Sequence, residues 1–312
     1  MPFADLHCDT LARIRKSRQQ GETLTLREAE SLHINLRKLK KSGYYLQNFA
    51  LYVDLKEEAD PWAAVLELAD LYRAETGANG DLLRPCRTFA DLEAARSAGK
   101  LAAVLTVEEG GVCRGELEKL RTLYEQGARM LTLTWNYENE LGFPNGREGG
   151  LKDRGFAFLE EMEALGMIPD VSHLSDRGFW DVCEAAKRPF AASHSSCRAL
   201  CPHRRNLTDE MLRALADRGG IAGVNFYADF LGEGEVGSTA DLVRHIRHMV
   251  RVGGLEVAAL GSDFDGIPLP PELGDAAGME GLVRALETGG FTPREIDRIC
   301  WQNVWDFYRR TL

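Results

Sequence analysis

A Cys-x-x-Cys pair is missing from this chain. Its seven cysteines (Cys8, Cys86, Cys113, Cys183, Cys197, Cys201 and Cys300) are scattered, odd in number and never spaced Cys-x-x-Cys. That argues against a disulfide framework, a thiolate zinc site and a thioredoxin-like motif. Long apolar runs are also missing: nothing approaches the roughly 20 residues that span a bilayer. Positive charge is in deficit, with 38 Lys and Arg against 48 Asp and Glu and a net charge of −10, so neither nucleic acid nor an anionic membrane is expected as a partner. The basic run Arg37-Lys38-Leu39-Lys40-Lys41 is too short to change this and reads as a solvated helix face. A glycine-rich phosphate turn is absent too. The position after the first apolar run holds Asp9-Thr10-Leu11-Ala12, which speaks against a doubly wound nucleotide-binding sheet.

What is present is ample material for a core, with 312 residues of which 44% are hydrophobic. Eight short apolar, β-branched or aromatic runs read as strands, near 3–8, 47–54, 101–107, 129–134, 167–171, 189–193, 220–226 and 257–262. Helical patterns fall between them, for example at 61–76, 88–97, 115–126, 154–165, 209–216 and 239–252. Asp209 and Thr239 are placed to cap helix starts, and Gly99, Gly127, Gly166 and Gly219 follow helix ends. The alternation predicts an α/β protein of the (β/α)8 TIM-barrel type, one domain over 1–312, with helices from about 293 packed across the barrel.

Five candidate metal ligands sit at or near places where a strand gives out: His7, Asp9, Glu109, His173 and His194; a sixth acid, Asp263, follows the last strand. Active sites of barrels of this type lie at the carboxyl ends of the strands. Asp5, His7 and Asp9 alternate and so share the interior face of an extended strand, where unpaired charge is costly. Glu109, beside Glu108, precedes Gly110-Gly111, which can turn a carboxylate toward the barrel mouth. His173 and His194 follow consecutive strands beside small hydroxyl residues, and Asp170 or the serines could orient their rings. Taken singly, each has a bland alternative, a buried structural histidine or a solvated acidic loop. Together, His, Asp and Glu without cysteine suit catalytic divalent zinc. Five ligands suit two ions about 3.5–4 Å apart with a shared carboxylate and a bridging hydroxide, and Glu109 is the expected bridge.

These motifs are similar to those of the membrane dipeptidase (renal dipeptidase) family of dinuclear zinc peptidases, in its bacterial-type form. The likeness runs from Asp5 to about Gly266. It is carried by Asp-x-His-x-Asp, Glu-Gly-Gly, Asp-Val-Ser-His, Ser-His-Ser-Ser, Arg205-Asn206-Leu207-Thr208-Asp209, Val224-Asn225-Phe226-Tyr227 and Gly-Ser-Asp-Phe-Asp-Gly. The resemblance implies that His7, Asp9 and Glu109 hold one zinc and Glu109, His173 and His194 the other. It implies that Asp263 handles the catalytic proton and meets the substrate's amino group, that Arg205 pairs with the substrate carboxylate, that Tyr227 lines the same pocket, and that the protein is a homodimer. Trp135 stands where the vertebrate enzymes carry a His that helps polarise the scissile carbonyl. Indole N–H can donate but cannot take up a proton. The glycine-rich loop from Tyr137 to Gly150 is a candidate lid.

The expected function is therefore zinc-dependent hydrolysis of dipeptides, including those with a carboxyl-terminal D-residue, by a metal-bridging hydroxide. Two alternatives stay open: hydrolysis of another small amide or lactam, and a metal-binding barrel without catalysis. Because the ligand motif begins at Asp5, a cleaved signal peptide would remove it, and the chain is expected to be cytoplasmic.

Overall fold

The structure is a computed structural model that describes residues 1–232 and 237–312. Among the described residues nine strands run parallel: β1 Phe3–Asp5, β2 Tyr44–Tyr52, β3 Leu83–Cys86, β4 Leu101–Glu108, β5 Ala128–Thr132, β6 Ile168–Asp170, β7 Ala191–Ala192, β8 Ile221–Val224 and β9 Ala258–Leu260. Eight of them close a ring, because β2 pairs with both β1 and β4 and β1 pairs with β9. This is the expected (β/α)8 barrel.

The ninth strand, β3, was not legible in the sequence. It pairs only with the first half of β4, Leu83 to Leu101 through Cys86 to Val104, while β5 takes the second half of β4 from Leu105 onward. It therefore lies outside the ring. Pro85 and four-residue length hide it, and a proline is tolerated at such an edge.

Helix starts deviate from expectation by one residue. The hydroxyl side chains of Thr208 and Ser238, not Asp209 and Thr239, cap the helices Asp209–Asp217 and Thr239–Gly253 by accepting from the backbone N–H three residues on. At the other end of helices Leu117–Gln126 and Asp153–Leu165, Gly127 and Gly166 take the left-handed conformation.

Alternation along the strands separates two cores. One face packs on the surrounding helices. The other fills the barrel with Ala4, Leu6, Leu46, Ala102, Val104, Met130, Ile168, Ala191, Ile221 and Ala259. Trp301, Val304, Trp305, Phe307 and Tyr308 join that second cluster, and the Tyr308 hydroxyl donates to Asn48 Oδ1 at 2.8 Å. The C-terminal helix thus stoppers one end of the barrel, leaving the carboxyl ends of the strands as the open mouth. Among the described residues, no helix is long and apolar enough to cross a membrane.

Candidate metal centre

The mouth holds a cluster of acids and imidazoles supplied from the ends of five strands of the ring, β1, β4, β6, β7 and β9. After β1 the chain continues beside the extension of β9. Asp5 accepts from Ser262 N (2.9 Å) and Ser262 Oγ (2.5 Å), and Asp9 N donates to the Phe264 carbonyl (2.8 Å). That pairing holds His7 and Asp9 against Asp263. His7 Nε2 lies 3.7 Å from Asp9 Oδ1, 3.9 Å from Asp263 Oδ1 and 3.3 Å from Glu108 Oε2.

The carboxylate at the centre belongs to Glu108. Its Oε1 sits 3.1 Å from His173 Nε2 and 3.4 Å from His194 Nε2. Glu109, the residue expected there, is turned away and its carboxylate is not part of the cluster. The reason is strand parity: Ala102, Val104, Thr106 and Glu108 share one face of β4, and Ala102 and Val104 belong to the barrel interior. Glu109 then leaves the strand at φ 98°, and its carboxylate accepts from Gly111 N (2.7 Å), Asn139 Nδ2 (2.6 Å) and Trp135 N (3.1 Å). Every residue of β4 is buried, so the parity becomes readable only once the structure shows that Ala102 and Val104 face the barrel interior.

The two histidines after β6 and β7 are fixed by their second ring nitrogens. Ser193 Oγ donates to Asp170 Oδ2 (2.5 Å) and so accepts from His194 Nδ1–H (2.7 Å). His173 Nδ1–H donates to Asn136 Oδ1 at 2.9 Å. Both Nε2 atoms therefore carry lone pairs, yet they face each other at 3.0 Å beside a carboxylate. Asp170 is one bond removed from the ring, acting through Ser193, and it also accepts from Thr132 Oγ1 at 2.7 Å. His173 (φ 68°) and Asp263 (φ 63°) adopt left-handed backbone, a cost concentrated where these side chains are aimed.

Electrostatics show what the cluster lacks. Burial lowers the pKa of His173 to about 4 and that of His194 well below the usual range, with the charges of Arg205 and His7 respectively adding to it. Burial would raise Glu108, but His7 and the bonds to the other two imidazoles outweigh it and hold its carboxyl well below the ordinary value. Asp9 is pushed well up by burial and then by the negative charge of Glu108. His7 Nε2 and Asp9 Oδ1 are buried and have no hydrogen-bond partner. Two sets of ligand atoms, those of His7, Glu108 and His194 and those of His7, Asp9 and Asp263, each fall within 4.8 Å of one another. The neutral imidazoles of His173 and His194, the unpartnered His7 Nε2 and Asp9 Oδ1, and the repulsion between the buried carboxylates of Asp9 and Glu108 fit a divalent cation.

Around this cluster opens a cleft of about 510 Å³, lined among others by Tyr52, Trp135, Arg205, Tyr227, Phe230, Asp263, Arg13 and Lys16. Arg205 is buried, and among the described residues its guanidinium meets no carboxylate. Its Nη1 donates to Ser195 Oγ (3.3 Å) and Nη2 to the His194 carbonyl (3.2 Å), while Nε has no partner. Burial brings its pKa down to about 10. Tyr227 packs against Phe230 at the edge, ring centres 5.0 Å apart. Trp135 stands against Tyr52 (5.0 Å) and Tyr137 (5.4 Å), with its backbone N–H held by Glu109. Two residues given no role from sequence contribute directly. Asn225 Nδ2 donates to Asp263 Oδ2 at 2.9 Å, and Asn136 orients His173. Asn225 carries a readable signal, a polar residue ending the apolar run of β8. The remaining histidines stay out of the cluster: His245 bonds the Leu231 carbonyl, His248 bonds Asp209, His33 Nδ1 accepts from Asp265 N, and His203 Nδ1 accepts from Arg205 N.

Comparison with known proteins agrees with this geometry. The family model described as membrane dipeptidase, peptidase family M19, matches residues 1–310. An uncharacterized protein of the pqqA 5' region of Klebsiella pneumoniae is 40% identical over 233 residues, covering 71% of this chain and 86% of its own length. An uncharacterized dipeptidase of Schizosaccharomyces pombe is 33% identical over 300 residues, 89% of this chain and 72% of the relative. A metallopeptidase from Rhodobacter sphaeroides, crystallised with a phosphinate mimic of the dipeptide L-Ala-D-Ala, superposes with a TM-score of 0.92 at 26% identity, covering 100% of this chain and 99% of the other. The chain belongs to the membrane dipeptidase family, peptidase family M19, and is a metallo-dipeptidase, a hydrolase of peptide bonds.

Proposed function

We propose that the cleft is the active site of a dinuclear zinc dipeptidase, with His7, Asp9 and Glu108 holding one cation and Glu108, His173 and His194 the other. The observation that carries this reading is the pair of Nε2 lone pairs, His173 facing His194 at 3.0 Å, converging on one carboxylate. Bound there, the cations would supply Lewis acidity toward the scissile carbonyl and acidify a water so that it is nucleophilic near neutral pH. Asp263 has one oxygen tied to Asn225 and the other turned toward His7 and the cleft. It accepts the proton of the attacking water and delivers it to the leaving amine, and it pairs with the substrate's free amino group. Arg205, buried with no anionic partner, takes the terminal carboxylate of the dipeptide, with Tyr227 beside it at the rim. Reading both ends of the substrate limits hydrolysis to two-residue peptides. The Rhodobacter relative's L-Ala-D-Ala mimic supports acceptance of a carboxyl-terminal D-residue here as well.

The test is elemental analysis of the purified protein before and after chelation, combined with hydrolysis of L-Ala-L-Ala and L-Ala-D-Ala. Two zinc ions per chain, activity lost on chelation and restored by zinc are expected. Undiminished hydrolysis by metal-stripped protein would refute the reading.

A further inference from the structure

We propose that Arg13 and Lys16 form a cationic subsite for an acidic side chain on the amino-terminal residue of the dipeptide. This rests on the dipeptidase reading and deepens it. The helix Thr10–Gln19 begins directly after Asp9, so Asp9, Arg13 and Lys16 fall at i, i+4 and i+7 on one face. Both cations are exposed at the mouth and line the cleft. Their neighbours on the same helix are paired: Arg15 with Glu58 and with Glu67 (2.7 Å), and Arg18 with Glu75 (2.6 Å). Arg13 and Lys16 make no ion pair and no side-chain hydrogen bond among the described residues. Asp265, the nearby acid on that wall, accepts from Thr10 Oγ1 (2.5 Å) and His33 N (2.6 Å) and makes no ion pair with either cation among the described residues. In a chain with ten more acids than bases, two unpaired cations facing the cleft are not a consequence of composition.

The order of the ring says which part of the substrate they meet. Arg205 follows β7, Asp263 follows β9, and the helix bearing Arg13 follows β1, which is the neighbour of β9. A dipeptide with its carboxylate on Arg205 and its amino group on Asp263 runs toward the β1 sector. Its amino-terminal side chain is then the part nearest Arg13 and Lys16.

Glu and Gln are isosteric, so the ratio of kcat/KM for Glu-Ala over Gln-Ala isolates the charge. With metal-loaded, full-length enzyme at low salt, a ratio on the order of three- to tenfold is expected, the size that two solvent-exposed charge pairs support. It should fall to about one in the double variant Arg13→Gln/Lys16→Gln, invert in Arg13→Glu/Lys16→Glu, and shrink with added salt. Zinc content and circular dichroism check that the variants stay folded and loaded. The Ala-Glu to Ala-Gln ratio should stay near one. A wild-type ratio of one, a ratio the variants leave unchanged, or a larger preference for Ala-Glu overturns the subsite while leaving the dipeptidase reading intact. Failure of metal-loaded wild type to cleave any of the four dipeptides overturns both.

Discussion

Replacing Glu108 by Gln and, separately, Glu109 by Gln tests the assignment of the shared carboxylate, because the adjacent acids have opposite surroundings. Glu108 lies between 3.1 and 3.4 Å from three imidazole nitrogens. An amide there removes a negative charge on which both cation sites depend. Loss of an orienting partner alone costs roughly 10–100-fold in metal affinity, so loss of a direct ligand should exceed about 100-fold. Glu109, by contrast, accepts three hydrogen bonds that hold the turn at Gly111 and the loop at Trp135 and Asn139. An amide group cannot accept on both sides, so at least one buried N–H is left unpaired, at a cost of about 1–3 kcal/mol. In a chain of this size that lowers Tm by a few degrees. The assay is zinc per chain by elemental analysis, with Ala-Ala hydrolysis and thermal unfolding on the same samples. Glu108→Gln should lose zinc and turnover, and Glu109→Gln should keep its zinc while melting earlier. The opposite pattern, zinc lost from Glu109→Gln and retained in Glu108→Gln, refutes the parity argument.

Asp263→Asn should keep its zinc but lower kcat by at least 10²–10⁴-fold, since the amide keeps the shape and cannot accept the proton; comparable turnover at full zinc occupancy would remove Asp263 from the mechanism. Ser193→Ala takes away the acceptor that fixes the His194 tautomer, and a chelator-competition titration should show zinc held roughly 10–100-fold more weakly. Burial lifts the Glu109 carboxyl from 4.5 to about 7, so between those values the metal-free fold binds a proton that the unfolded chain does not. Wild-type stability from this group is thus complete below pH 4.5 and declines as pH rises to about 7, by up to roughly 3 kcal/mol. Glu109→Gln lacks that titration. Its deficit against wild type in urea unfolding of metal-free protein should shrink across this window, and a constant deficit would contradict the assignment.

Strand and helix order was legible in the sequence because apolar runs and helix-end signals are local. So was the gathering of His7, Asp9, His173 and His194 at the barrel mouth, since each follows a strand and all strands of such a barrel point one way. β3 was hidden by its length and by Pro85, features that make sense only beside the half of β4 left free by β5. The choice between Glu108 and Glu109 needed the phase of β4 against the barrel interior, a tertiary property that a single apolar run leaves undetermined. Likewise, nothing local distinguishes Arg13 and Lys16 from Arg15 and Arg18. Only the docking of their helix pairs one set with glutamates and leaves the other facing the cleft. Sequence by itself determined which chemistry the chain can gather. Folding decided which of two adjacent side chains does it, because strand phase and helix orientation are set by burial against partners distant in sequence.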